Sequence, residues 1–183
     1  MGRIYYITGG AYSGKSAFAE NIAANFERLG IMTLGKKQEV KKEDSPDEDK
    51  PAKQANWERI EVAEHCDTVL IEKDFDLFVL DSLTALVKRR FREGLSAEKT
   101  FNNENLREIS EGVSREVMNM VVAAKENDRN LLVISSEVGM GTLPDGDAAK
   151  FLRAETGRAN QLMASLADEA YLLVSGIPIK IKG

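Results

Sequence analysis

The sequence predicts an α/β protein, a mainly parallel sheet with helices on both faces, organised around a phosphate-binding loop and finished by a C-terminal edge hairpin. Three observations carry that expectation. Short runs of β-branched and aromatic residues alternate with longer amphipathic stretches, the rhythm of strands joined by helical crossovers. The first such run passes directly into a G-x-x-x-x-G-K-S motif at residues 9–16. The last two runs are joined only by a turn at Gly176.

Taken in order, residues 3–8 are rich in β-branched and aromatic side chains and read as a strand. Residues 15–29 follow as a helix, because Phe18, Ile22, Phe26 and Leu29 recur at helical spacing. A second strand is expected at 31–34. Between 36 and 55 charges crowd together and Val40 is the one sizeable apolar side chain, so an exposed, mobile excursion is expected there. Strand character resumes at 57–62, a short helix at 65–72, and a strand at 75–81 that ends in Asp81. Residues 104–127 carry Leu106, Ile109, Val113, Val117, Met120, Val121 and Ala124 at spacings of three and four, the mark of a long amphipathic helix. A buried strand at 130–135, a glycine-rich loop at 138–142 and a helix at 147–167 come next. Strands at 170–175 and 178–182 close the chain, and the alternating Lys180 and Lys182 suit an edge that resists further pairing.

Composition narrows the class. The 183 residues suit a single domain spanning 1–183. With 43% hydrophobic residues, 30% charged and one cysteine, the chain is no disulfide framework, Cys-based zinc protein, collagen or wholly disordered polymer. A net charge of −5 argues against general affinity for nucleic acid or anionic membrane, so any phosphate binding must be local. No apolar run approaches the ~20 residues of a membrane helix, and a cytoplasmic protein is expected. His65 and Cys66 are the only imidazole and thiol, so a bound metal would be a hard cation on oxygen ligands.

The motif supplies the chemistry. Gly9, Gly10, Ala11, Tyr12, Ser13, Gly14, Lys15 and Ser16 satisfy the phosphate-loop pattern with a strand before it and a helix after it. Gly9 and Gly14 permit a backbone that turns successive N–H groups toward phosphate oxygens, and the helix N-terminus adds partial positive charge. Lys15 is expected on the β- and γ-phosphates and Ser16 on Mg²⁺. Such a loop calls for an acid at the end of another buried strand, and Asp81 is placed to hold the metal shell. Lys15 and Asp81 are thus the candidate catalytic residues, acting on ATP or GTP.

The chain also resembles a known family, the bifunctional adenosylcobinamide kinase / adenosylcobinamide-phosphate guanylyltransferases of cobalamin biosynthesis. The resemblance rests on the loop with Ala19 and Glu20, on Asp81-Ser-Leu-Thr84, and on Glu137-Val-Gly-Met-Gly141 with Pro144. It continues through Arg153, Gly157, Arg158, Asn160, Gln161, Ala167, Asp168 and Glu169 to the Val174–Lys182 stretch. It implies a RecA-like sheet, a homotrimer, and two reactions at one nucleotide site: phosphorylation of the cobinamide aminopropanol hydroxyl, then transfer of GMP through a guanylylated histidine. The same resemblance implies nucleotide contacts by Gly35, Lys36, Lys37, Glu61 and Asp81, and phosphate or intersubunit contacts by Arg153 and Arg158.

The family carries its histidine upstream of the tryptophan that matches Trp57. Here residues 44–53 contain none, with Glu48 or Asp49 at the corresponding place, and the lone His65 lies beyond Trp57. Tyr12, Arg89, Ser136, Asp147 and Ala154 also replace residues usual in the family, at positions expected to face nucleotide or substrate. A kinase that has lost the guanylyl step is the reading that results. The alternative is a nucleotide-binding module with a regulatory or assembly role.

Overall fold

A computed structural model describes residues 1–34, 57–95 and 101–183. The charged excursion expected at 36–55, with Gly35, Lys36 and Lys37, lies outside these residues. The strands are β1 (Ile4–Gly9), β2 (Leu29–Leu34), β3 (Trp57–Val62), β4 (Leu77–Asp81), β5 (Asn130–Ile134), β6 (Glu169–Val174) and β7 (Ile177–Lys182). The helices are α1 (Lys15–Ala23), α2 (Cys66–Glu72), α3 (Leu83–Gly94), α4 (Asn103–Glu126) and α5 (Asp147–Leu166). The seven strands form one sheet in the order β3-β2-β4-β5-β1-β6-β7, parallel throughout except for β7 against β6.

The central strands are apolar on both faces because both faces are covered. In β4, Leu77, Phe78, Val79 and Leu80 are all fully buried, as are Leu131, Leu132 and Val133 in β5. Each such side chain contributes roughly 1.5–3 kcal/mol by leaving water. Alternation sorts them into two layers. Phe78, Leu80, Leu131 and Val133 join side chains of α2, α3, α4 and α5 on one face, whereas Leu77, Val79 and Leu132 meet Ala19, Ala23 and Phe18 of α1 on the other. Trp57 is half-buried against this second layer.

Helix ends follow local chemistry. Ser82 caps α3 by accepting from the Ala85 amide at 3.3 Å, and Asn102 caps α4 by accepting from the Asn105 amide at 2.9 Å. The first helix is shorter than its periodicity predicts. It ends at Ala23, the chain turns through the Phe26 amide bonded to the Ala23 carbonyl, and Leu29 enters β2. Phe26 still packs on the α1 layer, so its helical spacing reports burial rather than a continuing helix.

One buried polar cluster stands within the helical layer. Glu116 of α4, its side chain 2% exposed, accepts from the Cys66 amide and pairs with Arg89, Arg90 and His65. Arg89 also donates to the Val62 and Glu64 carbonyls. It ties α3, α4 and the chain after β3 together, and it does not face an open site as its sequence position suggests. The neighbouring Cys66 thiol is pushed up to about 12 by burial, which makes it inert.

Register fixes where ligands can sit. Asp81 pairs with Ile134, and Ile134 with Ile7, so the C-terminal ends of β4, β5 and β1 lie side by side. In parallel α/β sheets this edge forms the binding crevice.

Candidate nucleotide-binding site

β1 delivers the loop and α1 receives it. Gly9 is the last residue of β1, in register with Leu173 of β6. A Cβ on Gly9 would lie 2.6 Å from the Leu173 carbonyl oxygen and 2.6 Å from Ser13 Oγ, so no other residue fits without displacing a strand. Gly14 caps α1 at φ 91°, in the left-handed region, with Gly176 Cα only 3.1 Å from where a Cβ would stand. Between them Gly10, Ala11 and Tyr12 are exposed, and Tyr12 takes φ 55°.

The loop is held on both sides. The Glu137 amide donates to the Gly9 carbonyl and the Gly176 amide to the Ser13 carbonyl, each at 3.0 Å. Lys15 curls over the loop, its Nζ donating to the Gly10 carbonyl at 2.6 Å. The first turn of α1 contains no acidic side chain and no side-chain cap. The helix dipole at this end therefore favours an anion.

Asp81 stands exposed at the end of β4, and Ser16 is half-buried in the first turn of α1. β5 lies between β4 and β1, so about 10 Å of sheet separates the two strands. Among the described residues no group of three or more His, Cys, Asp or Glu side chains could hold a metal ion. Ser16 and Asp81 offer hard oxygen donors that suit Mg²⁺, but two are too few for a resident ion. The donor set fits a cation that arrives with a nucleotide and completes its shell with phosphate oxygens and water.

Glu61 is not brought to the loop. It is exposed on β3, paired with Thr33 of β2, four strands from β1 and thus about 19 Å across the sheet. Arg153 is engaged elsewhere: its guanidinium donates to the carbonyls of Gly139, Gly141 and Thr142, each at 2.8 Å, and so shapes the glycine-rich loop after β5. Arg158 pairs with buried Glu155 at 3.0 Å while remaining 64% exposed. Asp147 is the exposed first residue of α5, where its charge favours the helix. His65 caps α2 beside Glu116 and Arg90, and α2 packs on α4 and β3 rather than on the loop.

A polar network that the motif does not announce links these strand ends. Ser135 Oγ, at the end of β5, donates to Asn160 Oδ1 of α5 at 2.6 Å and lies 3.3 Å from Thr84 Oγ1 of α3. Thr84 accepts from the Ser136 amide, and Asn160 donates to the Ser136 carbonyl. Beside this network a cleft of about 550 Å³ opens between α5 and the sheet, lined by Tyr6, Thr8, Glu137, Ala154, Arg158 and Ile181 among others. The available signal was the period of two in β1, which puts Tyr6 and Thr8 on one face of an otherwise apolar strand.

Comparison with known proteins agrees with this architecture. The chain matches the family model for cobinamide kinase / cobinamide phosphate guanyltransferase, CobU, over residues 5–181. The bifunctional adenosylcobalamin biosynthesis protein CobU of Salmonella typhimurium (strain LT2) is 29% identical over 179 residues, covering 96% of this chain and 98% of that protein. Its counterpart in Escherichia coli (strain K12) is 26% identical with the same coverage. A prototypical ATPase from the type III secretion system of pathogenic bacteria superposes with a TM-score of 0.56 at 12% identity, over 95% of this chain. The chain spans about half the length of that ATPase (51%), and the likeness concerns the fold. A family match across nearly the whole chain, together with the loop on β1 and the parallel sheet that carries it, shows that the chain belongs to the cobinamide kinase / cobinamide phosphate guanyltransferase family.

Proposed function

We propose that this protein is a nucleotide-dependent kinase of cobalamin biosynthesis that transfers the γ-phosphoryl group of ATP or GTP to the aminopropanol hydroxyl of cobinamide. The observation that supports this most is the phosphate loop itself, with Lys15 folded over the Gly10 carbonyl and no side-chain cap or acidic residue at the start of α1. Phosphoryl transfer depends on positioning and on charge stabilisation, and a preformed loop serves both. In this reading the loop amides of residues 10–14 cradle the phosphates and Lys15 moves from the Gly10 carbonyl onto the β- and γ-oxygens. Ser16 and Asp81 would hold Mg²⁺, which when bound draws charge from the phosphoryl oxygens.

The guanylyl half of the family's chemistry has no nucleophile in this reading. Residues 44–53 contain no histidine, and the Nδ1 of His65, the N-cap of α2 beyond Trp57, is engaged by Glu116 and Arg90. A homotrimer in the cytoplasm is the accompanying proposal from family resemblance. No helix among the described residues is long and apolar enough to cross a membrane.

The test is direct. Protein incubated with Mg²⁺, cobinamide and γ-labelled ATP or GTP should label the corrinoid, and Lys15→Ala should lower that rate by roughly 100-fold or more, the loss of two charge-assisted contacts. Bound nucleotide without a labelled corrinoid would favour the non-catalytic binding module. With α-labelled GTP no covalent adduct should form; an acid-labile label that disappears in His65→Ala would restore the guanylyl step.

A further inference from the structure

The cleft beside α5 contains groups that the phosphate loop leaves unused. Tyr6 is 1% exposed and Thr8 6% exposed, and both line the cleft. Their hydroxyls lie close to one another and to Ser135, but among the described residues neither meets a partner at good hydrogen-bond geometry, whereas Ser135 is bonded to Asn160. A buried hydroxyl without a partner is costly, and native proteins keep few of them. Here two lie side by side, next to a well-bonded network that holds the surrounding strand ends and α5 in place.

The position has meaning. Thr8 directly precedes Gly9, so anything seated on its hydroxyl adjoins the phosphate loop from the face of the sheet opposite α1. Val138, Leu143, Ala154 and Ile181 give the cleft apolar walls. Lys150, Arg153 and Arg158 add positive charge, and among the described lining residues Glu137 is the only carboxylate. A volume of about 550 Å³ falls in the range of small-molecule sites, with room for an arm of a large acceptor and not for a macrocycle. Apolar walls, paired hydroxyls and cations suit an uncharged alkyl arm ending in a hydroxyl, which gains phosphate charge only after transfer.

We propose that this cleft is the acceptor subsite, in which the Tyr6 and Thr8 hydroxyls bind the hydroxyl-bearing arm of the alcohol to be phosphorylated, at a place distinct from the nucleotide loop. The assignment rests on the kinase reading above. It predicts that the two hydroxyls are kept for binding at the expense of stability.

Tyr6→Phe and Thr8→Val remove them without changing shape. Equilibrium binding of cobinamide to the full chain, loaded with Mg²⁺ and a non-hydrolysable ATP analogue, provides the readout, alongside analogue affinity and thermal unfolding. Each substitution should weaken cobinamide binding roughly tenfold, the loss of a buried hydrogen bond, with analogue affinity unchanged and the melting temperature equal or raised. In turnover the same change appears in KM for cobinamide at fixed KM for nucleotide. Unchanged cobinamide affinity in both variants overturns the subsite and leaves the kinase reading standing. Failure of the unaltered, analogue-loaded protein to bind cobinamide overturns both.

Discussion

Gly9→Ala tests whether the loop is shaped by packing or by sequence habit. The added methyl would stand 2.6 Å from the Leu173 carbonyl oxygen and 2.6 Å from Ser13 Oγ, well inside an ordinary contact of about 3.4 Å or more. Ser13 is buried, and the Leu173 carbonyl belongs to the strand paired with β1. Overpacking of this kind costs about 1–3 kcal/mol, which for a domain of this size lowers Tm by roughly 2–12 °C. The softer partner is the loop, braced by single bonds to Glu137 and Gly176, so nucleotide affinity should fall at least tenfold. Gly10→Ala is the control: nothing lies within 4 Å of its added methyl, and its stability should match the parent. Thermal unfolding with and without nucleotide, combined with titration of a fluorescent ATP or GTP analogue, reads both effects. A Gly9→Ala protein as stable and as tight-binding as the parent would refute the steric argument, as would equal destabilisation by Gly10→Ala.

Two further outcomes follow from other parts of the molecule. Glu116→Ala leaves the Arg89 guanidinium buried without its carboxylate, and should destabilise by about 3–5 kcal/mol, measured as a lower midpoint in urea unfolding; a loss below 1 kcal/mol would show that the cluster is dispensable. Asp168 accepts from the Ile4 amide at 2.8 Å and pairs with Lys125, contacts that outweigh its partial burial and hold its carboxyl below the ordinary value of 3.8. Such a group stabilises the fold above its unfolded pKa and loses that contribution as pH falls through the folded one. Asp168→Asn should therefore cost about 1–2 kcal/mol at neutral pH, and the gap from the parent should narrow below pH 3.8. A gap that stays constant down to pH 2 would contradict this.

The architecture was legible where one force dominates. Apolar periodicity placed α4 and α5 within a residue or so at each end, because a single buried stripe decides each. It overran at α1, where Phe26 and Leu29 continue the spacing but pack from a turn and a strand. The phosphate loop was readable because its glycines answer to close contacts with β6 and the Gly176 turn. Arg153 was visible as a cation, but its partners are backbone carbonyls of residues 139–142, which have no signature in the side-chain sequence. Glu61 matched a family position, and strand order, which motifs do not encode, places it on edge strand β3. Tyr6 and Thr8 were read as strand formers because orphaned hydroxyls are a property of three-dimensional neighbours.

The bond from the Gly176 amide to the Ser13 carbonyl gives the molecule an order of assembly. The glycine-rich motif precedes α1, whereas its brace comes from the turn between β6 and β7, far along the chain. Contacts so distant along the chain form late, after shorter loops have closed. The loop therefore exists in the chain before this brace can form, and gains it only when the β6–β7 hairpin docks. Protection of the Gly176 amide from exchange, followed in time during refolding, becomes a reporter for completion of the sheet's far edge.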